Sequence, residues 1–125
     1  MRLLLDTHAL IWWLDGRPDL APQAREAITN GQNDVFVSVA SAWEIVIKSA
    51  RGRLRISGDL PASFDSSGMA ILPITLEHAL AVGSLPLHHK DPFDRMLIAQ
   101  ATLEGLTVVT RDPQFELYGV PLLKA

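Results

Sequence analysis

Apolar residues along the chain form short continuous runs that alternate with stretches of helical spacing. The runs are leucine-rich or β-branched and predict four strands and one further strand at an edge: 2–5, 34–39, 70–73, 106–110 and 120–123. Apolar residues three and four positions apart predict helices between them: 7–14, 22–30, 41–51, 59–64, 75–82 and 92–104, with a short one after Asp112. This alternation predicts an α/β fold, a three-layer α/β/α arrangement around a parallel sheet of four or five strands.

Capping residues indicate where two of the helices begin. Ser41 and Glu44 have the spacing of a capping box, in which each side chain binds the backbone N–H of the other residue. Asp91 followed by Pro92 predicts a second helix start, because aspartate caps a helix and proline is preorganised for its first turn. Gly105 predicts the end of that helix.

Length and composition favour one small domain. A chain of 125 residues suits a single domain over 1–125. It has no cysteine, which excludes disulfides and thiolate metal sites and fits a reducing cytoplasm. Asp6 comes too early for the apolar part of a signal peptide, and no apolar run reaches the roughly 20 residues that span a bilayer. We therefore expect a cytoplasmic protein.

The charge restricts how this chain can bind nucleic acid. Its net charge is −3, whereas proteins that simply coat nucleic acid are usually basic. A nucleic-acid site would therefore need cations close to it. Hydrophobic residues make up 48% of the chain, which fits either a well-filled core or a surface that a partner or a second copy covers.

Four acids are expected at one edge of the sheet. Asp6 follows the first strand and Asp112 the fourth, while Glu44 and Asp94 lie near the starts of helices that adjoin the second and fourth strands. Sites in open parallel sheets form outside the carboxyl ends of the strands. We therefore expect these four carboxylates to share one cleft.

Such a cluster favours a hard divalent cation. Four carboxylates in one cleft repel one another, and without a cation some would have to be protonated. Mg²⁺ takes oxygen ligands, keeps several waters, and can activate a water and stabilise an attacked phosphate. Hydrolysis of a phosphodiester bond at this site then needs no histidine or cysteine nucleophile.

Each acid also has a structural interpretation. Asp112, Asp6 and Asp91 are well placed as helix caps, Asp94 would favour the dipole of its helix, and Glu44 would complete a capping box. Capping alone does not predict four acids on one edge, so their combination favours a functional site. Asp91 is either a cap or an additional ligand.

The remaining polar candidates are ambiguous. Thr7 and Thr110 either hydrogen-bond the acids or their waters, or serve in turns and strand ends. His8 either packs or supports an acid, whereas His88 and His89 are expected to be solvated in a loop. The histidine spacing matches no zinc motif.

The basic side chains and the tryptophan pair are equally open. The basic cluster is either a solvated helix end or a contact for phosphate or an acidic partner, and consists of Lys48, Arg51, Arg53 and Arg55. Arg95 would pair with an acid or meet a phosphate. Trp12 and Trp13 point about 100° apart on a helix, so we expect one in the core and one at a surface.

Four segments, in this order, resemble the motifs of PIN-domain ribonuclease toxins of the VapC type. They are Asp6–Leu10, Ser38–Ile45, His89–Ala101 and Thr110–Asp112. The resemblance spans nearly the whole chain, and the ordered set is specific although each motif alone is weak. It places the acidic positions of the family on Asp6, Glu44, Asp94 and Asp112.

This resemblance implies an endoribonuclease that depends on Mg²⁺ or Mn²⁺. It also implies a homodimer that is inhibited by a cognate antitoxin protein, whose segment enters or covers the acidic cleft, and that meets promoter DNA only through the antitoxin. We expect Asp6 to be the central metal ligand, with Asp94 and Asp112 completing the ion's shell directly or through water. Glu44 would bind metal or orient the attacking water.

Two other functions compete with this interpretation. A phosphoacceptor receiver module also builds an acidic Mg²⁺ pocket, but it needs an aspartate at the end of a middle strand and a lysine near the last strand. Here the third strand ends in Leu72 and Pro73, and Lys124 is nearly terminal. A catalytically inactive PIN-like module that only binds a protein is the main alternative, and the intact set of acids argues against it.

Overall fold

The computed structural model describes residues 1–54 and 58–125, so Arg55 of the basic cluster lies outside the described residues. The strands are β1 (Arg2–Leu5), β2 (Asp34–Ser38), β3 (Ala70–Leu72), β4 (Thr107–Thr110) and β5 (Leu122–Lys124). The helices are α1 (Thr7–Leu14), α2 (Pro22–Thr29), α3 (Val39–Ala50), α4 (Leu60–Ser67), α5 (Leu76–Val82) and α6 (Pro92–Glu104). A 3₁₀ helix over Pro113–Tyr118 separates β4 from β5.

The strands form one parallel sheet in the order β3-β2-β1-β4-β5. β1 lies at its centre, where Leu5 pairs with Val37 of β2 and with Val109 of β4. Leu3, Leu4 and Leu5 are fully buried, which explains why β1 is a continuous apolar run rather than an alternating one. The central position of β1 fixes Asp6, the next residue, at the middle of the carboxyl edge.

The core has one layer on each face of the sheet. Leu3 and Leu5 pack with α1 and α2, and Leu4 packs on the other face with α6 and Phe115 of the 3₁₀ helix. Helices therefore cover both faces of a five-stranded parallel sheet, which confirms the predicted α/β fold.

The start of α3 differs from the prediction. The helix follows β2 without a loop, and Ser38 caps it by accepting a hydrogen bond from Ala40 N at 3.0 Å. The capping box predicted for Ser41 and Glu44 is therefore wrong, and Glu44 lies in the second turn rather than the first. Ser41 is buried, and its Oγ lies 3.2 Å from Thr7 Oγ1, to which it can donate because the proton of Thr7 is directed to Glu44.

In the two described stretches of the chain, no helix is long and apolar enough to cross a membrane.

Candidate active site

Asp6 lies at the centre of the carboxyl edge and is 6% exposed. Its Oδ1 accepts a hydrogen bond from Ala9 N at 2.8 Å, so it caps α1, and its Oδ2 accepts one from Thr110 Oγ1 at 2.6 Å. The Thr110 contact joins the ends of the neighbouring strands β1 and β4. Since each carboxylate oxygen has two lone pairs, both atoms can still accept a further partner.

Burial raises the pKa of Asp6 above its usual range. The hydrogen bonds from Thr110 and Ala9 and the proximity of His8 act in the opposite direction, and the charge of Asp112 adds to the rise. Asp6 is therefore both a helix cap and a carboxylate close to another site acid. The structural interpretation of Asp6 and the functional one do not exclude each other.

Asp94 is the acid most strongly affected by its surroundings. It lies in the first turn of α6, where the N-cap Asp91 accepts hydrogen bonds from Phe93 N at 2.8 Å and Asp94 N at 3.0 Å through Oδ1. Its pKa is raised to about 8, first by burial and then by the nearby charges of Asp91, Asp6, Glu44 and Asp112. The acids predicted to share one edge therefore lie within electrostatic reach of one another.

Asp112 and Asp94 share a histidine that the sequence analysis placed in solvent. His89 is only 8% exposed, and its Nε2 lies 2.9 Å from Asp112 Oδ2 and 3.0 Å from Asp94 Oδ2. Its Nδ1 accepts a hydrogen bond from Asp91 N at 3.2 Å. The prediction that His89 is solvated is wrong, whereas its neighbour His88 is exposed as predicted.

His89, Asp94 and Asp112 form a group that could hold one metal ion. Each offers a ligand atom, and the three atoms lie within 4.8 Å of one another. Asp112 also caps the 3₁₀ helix, because its Oδ1 accepts a hydrogen bond from Gln114 N at 2.9 Å. Its Oδ2 faces His89, so the cap and the cluster use different oxygens.

Glu44 reaches the site from α3 but is held by two other side chains. It is 4% exposed. Its Oε1 accepts a hydrogen bond from Thr7 Oγ1 at 2.5 Å, and its Oε2 forms an ion pair with Lys48 one turn further along α3. This partner raises the pKa of Lys48. Glu44 thus enters the site with its charge largely balanced, unlike Asp94.

The donor set fits a divalent cation that prefers oxygen ligands. Burial, and after it the charges of the surrounding carboxylates, raise the pKa of Asp94 to about 8. A cation placed among them would relieve this repulsion and allow Asp94 to ionise. Asp6, Asp94 and Asp112 are therefore available to hold such an ion, with Glu44 and His89 beside them.

Two other predicted site residues have different roles. Arg95 contacts neither an acid nor a surface where it could meet phosphate, because it is buried and donates to backbone carbonyl oxygens. The acceptors are those of Val82, Leu85, Pro86 and His89. Arg95 therefore fixes the loop that carries His89.

His8 does not pack in the core but is exposed, with its ring 5.8 Å from that of Trp12.

The two tryptophans of α1 are both half-buried, so the expected division into one core and one surface ring is wrong. Arg111 lies over the Trp12 ring at 4.5 Å and Arg25 over the Trp13 ring at 5.9 Å.

The third tryptophan, Trp43 of α3, is 58% exposed. It borders an apolar groove of about 260 Å³ between α3, α5 and α6.

Known proteins similar to this chain identify its family and its fold. The family model described as PIN domain matches residues 3–120. No match was found among curated proteins. The chain is similar in structure to VapBC2 from Rickettsia felis bound to a DNA fragment from their promoter, with a TM-score of 0.72, 16% identity and 98% of both chains covered.

Two further solved structures are similar over nearly their full length. DNA-bound VapBC from Salmonella typhimurium has a TM-score of 0.71 and 19% identity, covering 98% of this chain and 97% of that one. A toxin–antitoxin complex from Klebsiella pneumoniae has a TM-score of 0.66 and 25% identity, covering 98% of this chain and 96% of that one.

Proposed function

The chain belongs to the PIN-domain family, and on this basis we propose that it is a metal-dependent endoribonuclease acting as the toxin of a toxin–antitoxin pair. In this proposal, residues 1–125 form one PIN domain, and the protein acts in the cytoplasm. The observation that carries it is the cluster of acids at the carboxyl edge, where ligand atoms of His89, Asp94 and Asp112 lie within 4.8 Å of one another. The charges of the other acids also contribute, after burial, to the raised pKa of Asp94, and a divalent cation would offset their repulsion.

The roles of the acids follow from their contacts. Asp6, Asp94 and Asp112 would hold Mg²⁺ or Mn²⁺, directly or through water. A cation there would lower the pKa of a bound water and stabilise negative charge on the attacked phosphate. Thr110 orients Asp6 through its 2.6 Å hydrogen bond, and the fold keeps Asp94 and Asp112 together through His89.

Glu44 orients the attacking water or completes the metal site. Thr7 and Lys48 hold its two oxygens from opposite sides, so its carboxylate has a fixed direction. A water bound to it would receive a defined orientation towards the phosphorus atom, which is where geometric control contributes most to the rate.

The partners in this proposal are an RNA substrate, a cognate antitoxin protein and a second copy of the chain. The similar structures from R. felis and S. typhimurium are VapBC complexes bound to DNA, which supports an antitoxin partner and a complex that meets DNA. In this proposal the contact with promoter DNA is made by the antitoxin. The exposed apolar side chains around Trp43 support a protein partner. Measuring the mass in solution, with and without antitoxin, tests the homodimer.

The decisive experiment incubates purified, antitoxin-free protein with total cellular RNA. Parallel reactions contain Mg²⁺, Mn²⁺ or EDTA, and the variants are Asp6→Ala and the control Asp34→Ala. Asp34 is an exposed acid at the start of β2, at the opposite edge of the sheet. We expect discrete fragments with either metal, none with EDTA or with Asp6→Ala, and unchanged cleavage with Asp34→Ala.

The same experiment distinguishes the main alternative. A folded, metal-loaded protein that leaves all RNA intact would favour a catalytically inactive PIN-like module that binds a protein. Full cleavage by folded Asp6→Ala would show that the acidic site is not the catalytic one. Inhibition of host growth that persists when the acids are mutated would also favour the binding module.

A further inference from the structure

The net charge of this chain is −3, so RNA can bind at an acidic site only where nearby cations offset the repulsion of its phosphates. Two clefts adjoin the proposed active site at the carboxyl edge of the sheet. The first has a volume of about 230 Å³ and is formed by segments that follow β1 and β2. The second has a volume of about 660 Å³ and is formed mainly by residues of β4 and β5 and those that follow β4.

The first cleft, which we call the Arg53 cleft, carries an excess of positive charge. Its lining consists of Thr7, His8, Ile11, Glu44, Lys48, Arg53 and Leu54. Among these residues, the cations Lys48 and Arg53 outnumber the single acid Glu44. Lys48 already pairs with Glu44, whereas Arg53 forms no ion pair with any residue in 1–54 or 58–125, so its charge is available to a ligand as far as the described residues go.

The backbone after α3 brings Arg53 to this position. Gly52 has a φ of +69°, a left-handed conformation that favours glycine and turns the chain back at the end of the helix. Arg53 N then donates to Lys48 O at 2.9 Å, which fastens the turn to the last turn of α3. The side chain of Arg53 is exposed, so its charge remains accessible from the cleft.

The second cleft has no such excess. The cations Arg111 and Lys124 are matched there by the acids Asp112 and Glu116. Arg111 is also committed to structure, because it donates to the backbone oxygens of Asp19 and Ala125. Both clefts border a site acid, but of the two only the Arg53 cleft has more cations than acids in its lining.

We propose that the Arg53 cleft is a phosphate-binding subsite for single-stranded RNA, which holds a backbone phosphate next to the one at the acids. The inference rests on the proposed function. Thr7 and Glu44 line the cleft and also belong to the acidic site, so a strand that reacts at the acids continues into the cleft. An RNA strand carries a phosphate at every nucleotide, which gives Arg53 a partner whatever the base sequence.

Arg53 is a better probe than Lys48, because Lys48 also holds Glu44. The variants Arg53→Lys, Arg53→Ala and Arg53→Glu are placed in an Asp6→Ala background, which prevents cleavage during the measurement. The probe is a fluorescently labelled single-stranded RNA of mixed sequence and about 12 nucleotides, within the usual range of single-strand sites. Binding is measured by anisotropy over a series of KCl concentrations with Mg²⁺ present.

We expect Arg53→Ala to weaken RNA binding several-fold at low salt, Arg53→Glu to weaken it more, and Arg53→Lys to retain most of it. For a single strand, one lost phosphate contact reduces the slope of log K against log salt by about 0.7. The matched control is Lys124→Ala, which removes an exposed cation from the second cleft and should leave both affinity and slope unchanged.

Failure of this inference differs from failure of the proposed function. If the unmodified protein does not cleave RNA and the Asp6→Ala protein does not bind it, both are overturned. If the unmodified protein cleaves RNA and the Arg53 variants bind with the affinity and salt slope of Asp6→Ala alone, only the subsite is overturned. A polyglutamate peptide serves as a second probe: if Arg53→Ala weakens peptide binding but not RNA binding, the cleft belongs to an acidic protein segment and the subsite is wrong.

Discussion

The ring Nε2 of His89 lies 2.9 Å from Oδ2 of Asp112. The other ring nitrogen, Nδ1, accepts the backbone N–H of Asp91, so it carries no proton, and the proton of the ring is on Nε2. That N–H is shared with Asp94 Oδ2 at 3.0 Å. One donor therefore links the two acids that reach the site from α6 and from the turn after β4.

Replacing His89 tests whether it acts as a donor or as a metal ligand. His89→Ala removes the donor that positions Asp94 and Asp112 relative to each other, and we expect Mn²⁺ affinity, measured by calorimetry, to fall about 10-fold. His89→Gln keeps an N–H donor and should restore most of it. His88→Ala, at the exposed neighbour, should bind Mn²⁺ as the parent does. Loss of Mn²⁺ binding in both His89 variants would identify the ring as a ligand instead.

The raised pKa of Asp94 predicts how metal-free stability depends on pH. The folded protein holds the proton of Asp94 up to about pH 8, whereas the unfolded chain releases it near 3.8. The unfolded state thus binds fewer protons in this window, and the free energy of unfolding falls as pH rises through it, by at most about 1.4 kcal/mol per pH unit. Urea unfolding in EDTA from pH 4.5 to 8.5 measures the slope.

Asp94→Asn provides the comparison for that slope. Because asparagine does not titrate, the free energy of unfolding of this variant should lack the fall with rising pH that Asp94 causes. The variant should therefore be more stable than the parent in EDTA near pH 8. Mg²⁺ should stabilise the parent more at pH 8 than at pH 5, and should stabilise Asp94→Asn less. Parallel pH dependences for the two proteins in EDTA would contradict the assignment.

Thr110 supports Asp6 without being a ligand itself. Its hydrogen bond lowers the pKa of Asp6 against the effect of burial, so Thr110→Val should raise that pKa further and move the pH profile of RNA cleavage to higher pH. Metal affinity should fall about 10-fold, a usual effect of losing a partner of a ligand. Thr107→Val, at the start of β4, is the matched control. Identical pH profiles for the two variants would show that the hydrogen bond from Thr110 to Asp6 does not affect RNA cleavage.

Arg95 should matter for stability rather than for chemistry. Arg95→Ala leaves several backbone oxygens of the 82–89 segment without their donor, and we expect the free energy of unfolding in urea to fall by about 3 kcal/mol. Arg95→Lys should recover part of this, because lysine cannot span all the acceptors. The control Arg2→Ala removes one exposed hydrogen bond to Glu104 O and a cation–π contact with Phe36, and should cost about 1 kcal/mol. Equal losses for Arg95→Ala and Arg2→Ala would contradict this role.

The sequence was sufficient to predict the fold and the edge at which the acids meet. β1 and β4 are short apolar runs that each end at a polar residue, and Asp91–Pro92 starts α6 as expected, because these signals are local. The proximity of the four acids was predictable for the same reason, because each follows a strand or lies near the start of a helix; that they form the catalytic site stays a prediction.

What the sequence did not predict depends on contacts between distant segments. His89 is buried because Arg95 holds the carbonyl of His89 and Tyr118 accepts its backbone N–H, and neither contact has a local signal. The start of α3 was placed too late because Ser38, at the end of a strand, competes with Ser41 as the cap. Ser38 has the advantage that its hydroxyl also donates to the buried Gln100, 62 residues away in sequence, at 2.6 Å.

The central place of β1 has a consequence for the order of events during synthesis. Of the five strands of this sheet, β1 is made first, yet one of its two neighbours, β4, begins only at Thr107. Pairings so distant in sequence form slowly, and this one cannot begin until the residues up to β4 have been made. A nascent chain, or a product of interrupted translation that stops before β4, therefore lacks both Asp112 and the strand that Thr110 uses to hold Asp6.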